Sequence, residues 1–322
     1  MAPPLVSIGM PVYNGERYLR AALNSLLAQT FEQFELIIAD NASTDQTGEI
    51  CQEYATRDRR IQYYRHDRNL GAAWNFNRVF ELSRGQYFKW AAHDDVVDPT
   101  FLAKGVAVLD QDPTVVLCHC KVKIIDDGGD VVGDYDTLAA QRGHQLTQVN
   151  SSKVEDRFGD LVLVEHFCFE AFALIRADIL RQTPLIAPYV ASDRVLLAEL
   201  GLWGRFHEIP EPLFFSRDHP SRSVHTSLLQ LRSGWFDAAQ EGRMTLPHWK
   251  LWFEYSNALN RVSLSPYERL ACYQHLAYWP WVYGTQLVRD LWLLGKFIGR
   301  SVLEASDLAS GNDPSNYLRT LI

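Results

Sequence analysis

The first 130 residues alternate short apolar runs with helix-length amphipathic segments, and this alternation narrows the possible folds more than any other feature. Leu5 to Met10, Phe34 to Ala39, Ile61 to Tyr64 and Tyr87 to Ala92 read as strands. Between them, Glu16 to Gln29 places Leu19, Leu23, Leu26 and Leu27 on one helical face. Ser43 to Gln46 reads as a capping box opening a helix to about Tyr54. Asn69-Leu70-Gly71 turns into a helix reaching about Leu82. Asp98-Pro99 then looks like an N-cap and first turn, with a helix to Leu109, and Val115 to Ile125 is a strand ended by Asp126-Asp127-Gly128-Gly129. Strands separated by helices predict an α/β fold with a mostly parallel sheet and helices on both faces. In such sheets ligands sit beyond the carboxyl ends of the strands. Asn14, Asp40 and Asp94-Asp95 all fall just past strand ends, so one cleft would hold them together.

The sharpest signal lies between Gly85 and Pro99, GQYFKWAAHDDVVDP, where an apolar strand breaks into His93-Asp94-Asp95. Adjacent carboxylates at the end of a buried strand repel unless a divalent metal, Arg or Lys lies between them. The bland reading is a charged turn in water. Further on, Val131 to Asn150 reads as a polar, mobile loop. Phe167 to Ile175 reads as a buried strand or helix interrupted by Glu170, which is either salt-bridged or at the acceptor cleft. Ser192 reads as the cap of a helix beginning at Asp193, and Gly204 to Phe215 as a strand pair around Pro210 and Pro212. After Thr226 the chain turns to Leu-, Trp- and Tyr-rich helices: Pro247 to Leu259, Pro266 to Tyr278 and Gln286 to Leu303. These changes divide the chain into a domain over 1–225, itself split at 130, and a helical region over 226–322.

Composition closes off several functions. A net charge of -8 gives no global field for nucleic acid, so an anionic ligand needs a metal ion or a few placed cations. The five cysteines are odd in number and scattered, and Cys118-His119-Cys120 is too tightly spaced for a zinc knuckle, which fits a reducing cytoplasm. The opening MAPPLVSIGMPVYN has neither the basic region nor the apolar core of a signal peptide. Tyr278 to Ile298 is interrupted by Arg289, Asp290 and Lys296, so no membrane span is expected.

Six motifs in order carry a family resemblance. They are Val6-Ser7-Ile8-Gly9-Met10-Pro11-Val12-Tyr13-Asn14-Gly15, the helix end Leu26-Leu27-Ala28-Gln29-Thr30, the strand Phe34-Glu35-Leu36-Ile37-Ile38, Asp40-Asn41-Ala42-Ser43-Thr44-Asp45, Asn69-Leu70-Gly71, and the Gly85 to Pro99 stretch. Together they resemble family 2 glycosyltransferases, densely over the first 130 residues and more loosely to Ser223. The resemblance implies a GT-A (nucleotide-diphospho-sugar transferase) fold with a helical C-terminal region. It implies a metal-dependent, inverting transfer of a sugar from a nucleotide-diphosphate donor to a hydroxyl acceptor. By the same resemblance Pro11, Tyr13 and Asn14 would line base and ribose, with Glu16 at that rim or capping its own helix. Asp40 and Asn41 would meet the base edge, and Arg68 would reach the diphosphate unless it is simply solvated. Asp94 and Asp95 would form the DxD-like pair that holds ribose and a Mn²⁺ or Mg²⁺ ion, with His93 stacked near the ribose or merely packed. Arg217 would pair with phosphate, and His219 would be a metal ligand, a phosphate donor or a structural histidine. Asp193 would be the base, or else a plain complement to its helix dipole.

Two departures stand out. Ala92 replaces the first acid of the Asp-x-Asp-Asp pattern, leaving the metal to either Asp94 or Asp95; Asn41 stands where a second acid is common, leaving uracil, thymine and guanine open. The acceptor would be a glycan, a lipid-linked group or a protein. Trp249, Trp252, Trp279, Trp281 and Trp292, with Arg289, Lys296 and Arg300, read as subunit or core packing, or as a peripheral membrane surface. Two competing functions remain. A sugar-nucleotide pyrophosphorylase would want a cationic Gly-rich loop after the first strand, where the chain has Pro11 to Glu16; a degenerate nucleotide-binding scaffold would account for Ala92 and Asn41.

Overall fold

The structure, a computed structural model, describes residues 3–220, 222, 236 and 245–310, and of 299–310 the main chain only. Four strands, β1 (Val6–Val12), β2 (Phe34–Asp40), β3 (Ile61–Arg65) and β4 (Tyr87–Trp90), run parallel in the order β3-β2-β1-β4. Helices α1 (Glu16–Leu27), α2 (Thr47–Arg57) and α3 (Ala72–Glu81) make the crossovers. Because β1 sits between β2 and β4, the chain winds outward through β2 and β3 and then returns on the other side of β1. That reversal opens a crevice at the carboxyl ends of β1 and β4.

The second half extends the same sheet. Beyond β4 come β8 (Leu174–Arg176), β6 (Val115–Ile125), β9 (Arg205–Arg217) and β5 (Val96–Val97), with β7 (Val131–Asp134) beside β6. β8 is antiparallel to both β4 and β6, whereas β6 and β9 are parallel. Alternation along each strand divides the core into two clusters, as a pleated sheet requires. Ile8, Met10, Leu36 and Ile38 pack with α1, α2 and α4 (Phe101–Gln111) on one face. Ile37, Phe88 and Trp90 pack with α3, α6 (Val154–Leu163) and α8 (Ser192–Trp203) on the other. The C-terminal helices α9 (Pro247–Arg261), α10 (Pro266–Val282) and α11 (Gly284–Ser310) add Tyr255, Cys272, Leu276 and Trp279 to that second cluster. Arg261 clamps the buried Glu199 with two nitrogens, and Trp279 Nε1 donates to Val162 O at 3.1 Å.

Several local expectations are corrected. Ser43 and Gln46 form no capping box: α2 starts at Thr47, and Asp45, one residue before Gln46, accepts from Thr47 N. Glu16 does not cap its own helix either, because its carboxylate accepts from Gln46 N across the loop. Helix α4 begins at Phe101; Asp98 instead closes a turn by accepting from Thr100 N. Ser192 lies inside α8, preceded by Ala191 at φ 61°, and its buried hydroxyl has no partner among the described residues. Residues 131–150 are not a plain loop but carry β7 and α5 (Tyr135–Arg142), the latter capped by Asp134 and closed by Gly143 at φ 69°. Residues 205–217 form one strand, not a pair. Its prolines sit where the pairing with β6 slips between Cys120↔Ile209 and Lys121↔Pro212, so their missing N–H groups cost less there. Phe167 to Ile175 is a 3₁₀ turn (Phe169–Phe172) followed by β8, and a short α7 (Ala177–Leu180) follows. Ser223, the 225/226 boundary and the Arg300 side chain lie outside the described residues.

Candidate active site

Register aligns the strand ends that carry the polar residues. Val12 pairs with Asp40 and Gly9 with Trp90, so Tyr13-Asn14, Asp40-Asn41 and His93-Asp94-Asp95 leave the sheet at one edge. The His93 ring packs close to Gly15, the residue after Asn14: a Cβ added there would lie 2.5 Å from His93 Cδ2. Glycine is therefore needed there by close approach rather than by backbone angle.

The acidic turn is the most developed part of the edge. Asp94 Oδ2 lies 3.0 Å from His219 Nε2, and the His219 ring packs against Tyr18 with centroids 4.8 Å apart. Burial would raise the Asp94 carboxyl, but His93 and the His219 contact outweigh it and hold it below the ordinary range. Asp95 goes the other way: burial first, then the Asp94 charge, push it up, against the hydrogen bond it accepts from Arg217 N at 2.8 Å. Two like charges this close in a buried turn oppose one another, so Asp94 is the first of the pair to ionise. Arg217 is buried beneath the turn, its guanidinium donating to Asp94 O, Asp126 O and Asp127 O, with Cζ 4.9 Å from the Tyr18 ring centroid.

The nucleotide-side residues divide into fastened and free. Asp40 is fully buried, accepting from Ser43 N and from Tyr63 OH at 2.8 Å each, with Arg65 alongside at 3.5 Å. Asn41 Oδ1 accepts from Leu70 N at 3.0 Å, while its Nδ2 donates to Asn69 Oδ1 and Gly71 O. Asn14, at φ 51°, accepts from Thr44 N, and its own N–H donates to Ser43 Oγ. Pro11 is buried in β1 opposite Ala39, whereas Tyr13 and Arg68 are exposed.

Topology brings Asp193 to the same edge. Since β8 runs antiparallel to β4, the segment leading into it lies off the carboxyl end of β4. Cys168 in that segment is faced by the Asp193 carboxylate, and the buried Lys89 of β4 donates to Phe172 O. Asp193 itself accepts from Arg194 N. Glu170 is buried with its carboxylate 3.7 Å from His166 Nδ1, beyond hydrogen-bond reach, and lines a small hollow with His119, Asp136 and Glu208. Nothing in the sequence signals Tyr18, and Asp126-Asp127 is marked there only as the end of a strand. Tyr18 OH and Arg17 both donate to the Asp127 carboxylate, joining α1 to the end of β6. The Asp-Asp-Gly-Gly spelling marks a turn but not the neighbour it serves.

Among the described residues no three His, Cys, Asp or Glu side chains cluster tightly enough for an all-protein metal cage. Asp94 and His219 could supply two ligands, and one or two protein ligands completed by phosphate oxygens suit a cation shared with a diphosphate.

Residues 7–183, more than half of the chain, match the description Glycosyl transferase family 2. The chain belongs to glycosyltransferase family 2. An uncharacterized glycosyltransferase of Rickettsia typhi is 28% identical over 243 residues, covering 71% of this chain and 68% of that protein. An uncharacterized Mycobacterium bovis protein is 38% identical over 135 residues, 40% of this chain and 38% of its own. Among solved structures, Staphylococcus aureus TarS in complex with UDP-GlcNAc is 15% identical with a TM-score of 0.62, covering 89% of this chain and 79% of that one. The mannosyltransferase PcManGT of Pyrobaculum calidifontis, in complex with GDP-Man and Mn²⁺, is 16% identical with a TM-score of 0.54, covering 100% and 84%. At these identities the structural likeness establishes the GT-A fold, and membership of family 2 establishes the chain as a glycosyltransferase.

Proposed function

We propose that this family 2 glycosyltransferase inverts the anomeric centre of a nucleotide-diphospho-sugar as it transfers the sugar to a hydroxyl acceptor. The observation that carries the reading is the placement, at the switch-point crevice, of one ionised carboxylate with a histidine on it: Asp94 and His219. Asp94 and His219 would hold a Mn²⁺ or Mg²⁺ ion, which when bound neutralises the charge growing on the departing diphosphate. Asp95, deeper in the turn and accepting from Arg217 N, would serve the turn rather than the metal. Arg217 likewise acts through the turn, by pinning its carbonyls, instead of meeting phosphate.

Tyr13 and Asn14 would border the base and ribose, and the exposed Arg68 would approach the phosphates. Asp40 and Asn41 would shape the base pocket from behind, through the loops they fasten. On the acceptor side Asp193 would take the hydroxyl proton as the new C–O bond forms. The bond to the diphosphate breaks in the same displacement and its electron pair leaves with the nucleotide. One base and one displacement invert the configuration. The acceptor class fits cell-surface polysaccharide, glycolipid or glycoprotein assembly, and the boundary near residue 225 would separate the transfer domain from the helical region.

Calorimetry with UDP, GDP and dTDP, each with and without Mn²⁺, tests the donor side. Metal-enhanced binding lost in Asp94→Asn supports it, and equal binding without metal refutes the cation. Asp193→Asn should keep donor binding while transfer falls about 10²–10⁴-fold. Near-normal turnover in that variant would remove Asp193 from the chemistry.

A further inference from the structure

The tryptophans of the C-terminal helices divide into two sets. Trp249, Trp252 and Trp279 turn inward, each with its indole N–H donating to a main-chain carbonyl. Trp281 is 84% exposed and Trp292 56% exposed, and neither indole N–H has a partner among the described residues. They do not stand alone. On α10, Tyr267, Tyr278 and Trp281 follow one another at helical spacing along the outer face, and on α11 Val288, Leu291 and Trp292 do the same. Each of the two consecutive helices thus presents its own band of apolar and aromatic side chains to solvent.

Charge on the α11 band decides what would cover it. From 284 to 298 the exposed charged side chains are Arg289 and Lys296, both cations. The one acid, Asp290, is buried, accepting from His248 N at 2.8 Å with His248 Nδ1 at 3.2 Å. Lys296 Nζ lies 3.8 Å from the centroid of the Trp292 ring, so cation and aromatic occupy one spot. This local positive sign stands against a chain charge of -8. A second copy would bring cations to cations and repeat the global charge. An anionic bilayer surface complements both the cations and the amphipathic Trp and Tyr rings, which settle at headgroup depth. No helix among the described residues is long and apolar enough to cross a membrane, so contact would be along the surface.

We propose that the outer face of α10 and α11 docks the enzyme on anionic phospholipid headgroups, bringing the active site to acceptors borne on the membrane. The docking does not depend on the donor chemistry, because vesicle binding is read without turnover. The test is flotation of the full chain with vesicles of phosphatidylglycerol and phosphatidylcholine in equal parts, against phosphatidylcholine alone, at low and high salt. The chain should float with the anionic vesicles only and be released by salt. The pairs Trp281→Ser with Trp292→Ser, and Arg289→Glu with Lys296→Glu, should each lower the bound fraction by about tenfold or more. Circular dichroism and UDP or GDP calorimetry should be unchanged, showing that the folded donor site survives. Failure of the wild type to float, or flotation insensitive to both pairs, overturns the proposal. So does a wild-type dimer in light scattering that becomes monomeric on the tryptophan substitutions without any flotation, which would give the face to a second copy.

Discussion

Asp95 and Arg217 show how far one residue's duty can lie from its type. Asp95, its carboxyl pushed up to about 7 by burial and the Asp94 charge, accepts from Arg217 N, so Asp95→Asn keeps that acceptor and, below pH 7, should change the urea midpoint little. Arg217→Lys is the opposite case. A lysine lacks the fork that reaches Asp94 O, Asp126 O and Asp127 O together, so part-buried hydrogen bonds are lost at about 1 kcal/mol each. Chemical denaturation of the two variants side by side checks the contrast. Asn41 gives a third prediction. Asn41→Asp would set a carboxylate against Asn69 Oδ1 and Gly71 O, beside the buried Asp40, in place of two N–H donors. It should destabilise the fold by roughly 2–3 kcal/mol, measured by urea titration at neutral pH. Asn41 was legible as a departure from paired acids, but its partners were not.

Elements meet at their closest approach through glycines and one lysine. A Cβ on Gly85 would lie 2.6 Å from Ser7 N and 2.7 Å from Tyr87 O, main-chain atoms that cannot step aside. Gly85→Ala should therefore part β1 from β4 and cost about 1–3 kcal/mol, read as a lowered melting temperature. Lys89 joins β4 to the segment before β8, its ammonium donating to Phe172 O and lying between the Phe101 and Phe214 rings at 4.6 and 5.4 Å. Burial pushes it down to about 8 from an ordinary 10.5. Below pH 8 the folded protein bears the whole cost of a buried ammonium. Between about 8 and 10.5 the unfolded chain holds a proton that the native one has released, so stability rises with pH. The urea midpoint of the wild type should climb relative to Lys89→Met across that window, and parallel pH profiles would contradict it. The Lys89 position lies in the apolar run YFKWAA, where the strand was legible but not the aromatic cage.

At the scale of the whole molecule, all five cysteines are free and buried, and burial raises their thiols, Cys51, Cys118, Cys120 and Cys272 to about 12. A thiol reagent at pH 8 should count close to none in the native protein and five in denaturant. The alternation of strands and helices, the two-faced core pattern and the acids at strand ends were all legible from residue order, because periodicity and residue type act over a few neighbours. The division of labour among those polar residues was decided only by the tertiary structure. Asp95 meets a main-chain N–H from 122 residues away, and Asp94 a histidine from 125. Which carboxylate stays charged depends on burial and on partners that folding alone brings together, and local sequence carries no record of either.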